Sequence, residues 1–152
     1  PDSSAASDVY KRQHYLLLLS LCMLSTWYFG NTEPQSFYFM ILGLSLIGLG
    51  FVFALNSMFR FRKAETGIVP FSKSTTLILE GFYKFTRNPM YVGMNVFLIG
   101  LLITLNNFFN LIFVIIFFLI VRNLFVLKEE VQMEETFGEE YLSYKKKVRR
   151  WL

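Results

Sequence analysis

Apolar positions run in long blocks along this chain; they do not alternate at the two-residue period of strands. Four blocks approach the roughly 20 residues that cross a bilayer core as a helix: 15–29, 37–59, 91–105 and 108–127. Trp27, Tyr28 and Tyr91 stand near block ends, where amphipathic rings sit at headgroup level. The first two blocks are joined by Gly30-Asn31-Thr32-Glu33-Pro34-Gln35 and the last two by Asn106-Asn107, both tight polar turns. The pattern predicts an all-α integral membrane fold: about four transmembrane helices in two hairpins, a cytosolic loop and a C-terminal amphipathic helix. In chain order, 1–14 is expected as a disordered lead, 15–59 as the first hairpin and 60–90 as the loop. Residues 91–127 form the second hairpin and 128–152 the C-terminal helix, all within one domain. In that last stretch Val131, Met133, Phe137, Tyr141, Tyr144 and Val148 recur at mostly three- and four-residue spacing, which suits one helix or two lying on a membrane surface.

Charge sets the orientation. Neither hairpin turn contains Lys or Arg. The basic residues fall before the first block (Lys11, Arg12), between the second and third, and from Arg122 onward. Because Lys and Arg stay on the cytosolic side, both termini and the 60–90 loop are expected there, at the inner or plasma membrane if the source is bacterial. A basic pair followed by Tyr15 to Leu24 also reads as a signal peptide, but Ser25-Thr26-Trp27-Tyr28 is bulky where cleavage would fall, which favours a retained helix. In the second block, Gly50 and Ala54 have the four-residue spacing that lets helices approach closely.

Composition narrows the chemistry. The chain is 54% hydrophobic with 18 Phe among 152 residues, outside the range of soluble domains. One Cys (Cys22) and one His (His14) offer no metal-ligand cluster, so no metal is expected. The net charge of +4 sits in short blocks beside apolar runs, which points to anionic lipid and not to nucleic acid. The polar stretch 75–93 is where chemistry is expected. Asn88-Pro89 is a helix-start signal, and a helix N-terminus with Arg87 before it and Tyr91 in its first turn suits a carboxylate or phosphate. The plainer reading is that Arg87 snorkels to headgroups and Asn88-Pro89 only caps a helix.

The spacing Gly81-x-Tyr83, then Arg87-Asn88-Pro89-x-Tyr91-x-Gly93, resembles the signature of isoprenylcysteine carboxyl methyltransferases and their bacterial relatives. A second block, with Glu129-Glu130, Phe137-Gly138, Tyr141, Tyr144, Val148 and Arg150-Trp151, is similar to that family's C-terminal pattern in the same order. The resemblance covers residues 75–152, and it implies S-adenosyl-L-methionine as cofactor at the cytosolic mouth of the last two membrane helices. Carried over by position, it implies cofactor contacts at Thr75, Thr76, Leu77, Ile78, Tyr83, Arg87, Asn88, Pro89, Met90, Tyr91 and Glu129. Asn88 stands where the eukaryotic enzymes have His, and Phe125 where they have a substrate-binding arginine. Arg122, seven residues before Glu129 and so on the same face of an α-helix, is a candidate replacement in substrate binding, together with Glu130. Glu129 and Arg122 are also the candidates for a catalytic role.

The expected partner is a lipophilic methyl acceptor arriving from the bilayer, either a carboxylate like that of isoprenylcysteine or a thiol. Three other readings stand beside this one. A phospholipid N-methyltransferase would share size, location and cofactor. A reductase using NADPH shares the C-terminal resemblance. A small transporter matches in size, but the four blocks carry no acidic residue for proton coupling.

Overall fold

The computed structural model describes residues 3–30, 36–63 and 77–152. Its described residues form helices and no strand, apart from one isolated bridge between Thr86 and Arg149. The helices are α1 (Ser3–Phe29), α2 (Phe37–Lys63), α3 (Pro89–Thr104), α4 (Leu111–Ile120), α5 (Leu127–Phe137) and α6 (Glu139–Lys147). Short 3-10 turns at Gly81–Lys84 and Phe108–Asn110 precede α3 and α4. The stretches Phe37–Arg60 and Phe108–Phe137 are long and apolar enough to cross a membrane, and Pro89–Thr104 is a shorter apolar helix.

α2 and α3 pack by backbone contact. A Cβ at Gly93 would fall 2.7 Å from Gly50 O, and one at Gly100 would fall 2.7 Å from Gly43 O. Gly43 and Gly50 are seven residues apart, as are Gly93 and Gly100, so two antiparallel helices meet at two successive glycine pairs. The small face of α2, Ala54 included, is thus occupied by α3 within the chain. The remaining surface of α2 exposes Leu42, Leu44, Leu49, Val52 and Leu55, an apolar surface suited to lipid. The packed core lies between the other helices, where Leu19 and Met23 of α1 meet Leu98, Val114, Phe117 and Val121.

Three boundaries differ from the sequence expectation. α1 begins at Ser3, so the described part of the segment expected as a disordered lead is helical; residues 3–29 contain no Gly or Pro to break it. α4 does not stop near residue 127, because it continues through a π-helical turn, Val121–Val126, directly into α5. The break falls instead at Gly138, whose φ of 51° and ψ of −125° lie in a region open to glycine. The loop residues 64–76, which include Thr75 and Thr76, lie outside the described residues.

Candidate functional site

The two motif blocks interlock around the start of α3. Pro89 takes the first helical turn, as its missing amide allows. Asn88 does not cap the helix as expected: its Nδ2 donates to Arg150 O at 3.1 Å, drawn away by the C-terminal segment beside it. Arg87 N donates to Arg149 O at 2.9 Å and Thr86 Oγ1 to Arg150 O at 3.0 Å. Trp151 packs on Phe118 with ring centroids 5.1 Å apart. Tyr144 of α6 donates to Tyr83 O at 2.7 Å. Gly81, with φ of 64°, brings the 3-10 turn against α2, where a Cβ would meet Arg60 Nε at 2.9 Å.

Two adjacent glutamates of α5 then take different partners. Glu129 Oε1 accepts from the Tyr91 hydroxyl at 2.8 Å and from Arg12 Nη1 at 3.1 Å. Arg12 also donates to the Tyr91 hydroxyl. Its guanidinium carbon lies 5.4 Å from the Tyr91 ring centre and 5.6 Å from that of Phe125, within cation–π range. Arg12 is only 3% exposed. Glu130 is clamped by Arg150, Nε at 3.0 and 3.1 Å and Nη2 at 2.7 Å, and by Arg87 Nη2 at 3.2 Å. The Arg87 side chain is 7% exposed, and its Nε and Nη1 are buried with no hydrogen-bond partner among the described residues. Two guanidiniums against one carboxylate leave this half of the site with a net positive charge and unsatisfied donors.

Burial sets the state of the tyrosines around this second cluster. It pushes the Tyr83 hydroxyl well above its ordinary value, against the lowering effect of a hydrogen bond with Ser57. It likewise raises Tyr144, and it pushes Tyr141 up to about 12 with help from the Glu130 charge. All three are therefore neutral hydroxyls at physiological pH. Arg150 is raised by its hydrogen bonds to Glu130 and remains a cation.

Of the residues singled out in the sequence, Tyr91 and Glu129 are in direct contact, and Tyr83 lies close enough to feel the Glu129 charge. Arg87, Asn88 and Glu130 surround the α3 start, and Met90, Leu77 and Ile78 are half-buried. Arg122 is not brought to Glu129. The π turn adds a residue to the helix and rotates what precedes it by roughly 100° relative to α5, and Arg122 bonds to Asn123 Oδ1 at 3.3 Å. Arg12 was missed as a site residue. The available signal was that Arg12 and Thr26, both polar, lie fourteen residues apart on one face of an apolar helix, and Thr26 also bonds inward, to Asn110 Oδ1 at 2.6 Å.

Apolar helices carrying a buried charged cluster at one end define a helical protein of the membrane type, with its polar chemistry at the helix ends. The chain belongs to the phospholipid methyltransferase family, whose model matches residues 38–140. It is similar to the protein-S-isoprenylcysteine O-methyltransferase of Mus musculus, 33% identical over 111 residues covering 70% of this chain and 38% of that one. The enzyme of the same name from Schizosaccharomyces pombe is 31% identical over 80 residues, covering 51% of this chain and 33% of that one. An uncharacterised Haemophilus influenzae protein is 40% identical over 63 residues, 41% of this chain and its own entire length. The chain spans little more than a third of the length of the two methyltransferases. No solved structure matches.

Proposed function

We propose that this protein is an S-adenosylmethionine-dependent methyltransferase, held in the membrane by four helices, that methylates a lipophilic acceptor at the membrane edge. The observation that carries the reading is the hydrogen bond from Tyr91 to Glu129, which joins the two motif blocks across 38 positions of sequence. Family membership and the relatives' printed names support the reaction class. The distribution of Lys and Arg supports cytosolic termini and a cytosolic 60–90 loop.

The residues present fit such a cofactor. Arg87 offers two buried, unsatisfied N–H groups beside the positive end of α3, whose first turn no side chain caps, a combination suited to a carboxylate. Glu129 brings a carboxylate to the same end of the helices, with Arg12 against it and over the Tyr91 and Phe125 rings. Thr75, Thr76, Leu77, Ile78, Tyr83, Asn88, Pro89 and Met90 complete the proposed contacts by motif position. Bound there, S-adenosylmethionine supplies a methyl group on a positively charged sulfur. The chain orients the reactants and keeps the site dry, which favours a displacement in which cation and anion neutralise one another.

An ionised carboxylate acceptor needs no general base at neutral pH. Tyr83 is a poor base there, since burial keeps its hydroxyl protonated. A second reading is favoured by the description of the matched family, phospholipid methyltransferase: an amine acceptor in a lipid headgroup, which would first have to lose a proton.

The test is calorimetric titration of S-adenosylhomocysteine into detergent-purified protein. Micromolar binding that weakens at least tenfold in Glu129→Ala and Tyr91→Phe is the expected result, a loss of about 1.4 kcal/mol or more. A folded protein that does not bind S-adenosylhomocysteine would overturn the proposal.

A further inference from the structure

Two segments far apart in sequence meet at the start of α3 and turn their charges outward. The isolated bridge between Thr86 and Arg149 is parallel. The residues just before it therefore fall on the same side, Lys84 and Phe85 on one segment and Lys146 and Lys147 on the other. The bonds from Arg87 N to Arg149 O at 2.9 Å and from Tyr144 to Tyr83 O at 2.7 Å hold that register. Lys84, Lys146, Lys147 and Arg149 are all exposed, and Phe85 beside them is 67% exposed. Among the described residues none of these four cations is in an ion pair, whereas their neighbours Lys145 and Arg150 are paired with Glu134 and Glu130.

The nearby acids are kept apart from this face. α6 carries Glu139 and Glu140 in its first turn and its lysines in the last, about 10 Å further along the helix axis. Four like charges gathered without counter-charge repel one another, and the folded chain alone gains nothing from the arrangement. A layer of anions reverses the sign. The height of the face fits such a layer, because α3 is apolar from Pro89 onward and Phe85 stands four residues before it, where an apolar helix emerges among headgroups. We propose that this face binds the headgroups of anionic phospholipid, the four cations sharing their phosphates and the Phe85 ring entering the interface between them. The proposal rests on the membrane placement above and not on the group transferred. Lipid that bridges Lys84 and Arg149 ties the C-terminal segment to the turn before α3, so membrane charge reinforces the same backbone bonds that frame the candidate site.

The test uses the full chain reconstituted in phosphatidylcholine bilayers. Trp27→Phe leaves Trp151, next to Arg150, as the single tryptophan of the chain. Quenching of Trp151 by brominated phosphatidylglycerol is compared with quenching by brominated phosphatidylcholine. Each cation at an anionic surface strengthens association by about fivefold, so a preference for phosphatidylglycerol of at least about fivefold is expected. Replacing Lys84, Lys146, Lys147 and Arg149 together by Gln should bring it below about twofold, and these exposed positions leave the fold intact, as helical circular dichroism checks. Lys128→Gln, at an exposed lysine of α5 outside the face, should leave the preference unchanged. No preference in the reconstituted wild type would overturn the proposal, as would a preference that survives the fourfold variant or falls equally in K128Q. Reversal of the quenching by water-soluble glycerol phosphate at equal concentration would also overturn it, by making the face a site for a free anion. A folded chain that does not enter bilayers would refute the membrane placement itself.

Discussion

Adjacent glutamates with different partners should fail in different ways, and Glu130→Gln is the sharper case. The substitution takes the anion from between two guanidiniums, with four contacts at 2.7 to 3.2 Å. The Arg150 side chain, 30% exposed, can turn to water, but Arg87, at 7%, is left as a buried cation with no counter-charge. Breaking a buried pair from one side costs about 3 to 5 kcal/mol, and the partial exposure of Arg150 places this case near the lower end, about 3 kcal/mol. For a chain of this length that corresponds to a fall in Tm of roughly 6 to 12 °C. Thermal unfolding in detergent, followed by loss of helical circular dichroism, measures it. Below the transition, E130Q should still bind S-adenosylhomocysteine, whereas Glu129→Gln, which takes the Glu129 charge from the buried Arg12, should lose binding as well as stability. A wild-type Tm for E130Q would refute the clamp.

Gly93→Val drives a branched side chain into the Gly50 carbonyl and Phe53, so α2 and α3 must separate; a loss of at least about 2 kcal/mol is expected in the same melting assay, against little change for Gly48→Ala, where nothing lies within 4 Å. Tyr141, pushed up to about 12 from an unfolded value near 10, contributes stability that is complete below pH 10 and lost as pH climbs from 10 to 12. Unfolding free energy measured across that window should fall steeply, and less so in Tyr141→Phe.

Long apolar blocks made the helices legible, because nothing but a helix spends so many consecutive apolar residues; Gly50 with Ala54 was visible as a packing device in the second block, though not the glycines of α3 that meet it. The start of α3 was legible from Pro89, since proline's missing amide acts locally. What escaped was long-range. Arg12 looks like any basic residue ahead of an apolar block, and its partners lie 79 and 117 positions away. Asn88 reads as a cap because Asn competes well for helix amides, and only the arrival of Arg150 O offers its side chain something else. Arg122 was assigned to the face of Glu129 on the α-helical period, and a π turn leaves no mark in composition.

The two arginine contacts of the neighbouring glutamates also differ in when they can form. Glu130 meets Arg150 across 20 positions, a short loop closed by α5 and α6 alone. Glu129 meets Arg12 across 117, a closure with higher entropic cost that needs α1 docked against a finished α3 and α4. Assembly of the site is thus ordered by contact length: the C-terminal clamp can close first, and the contact of the first helix with Glu129 closes after it.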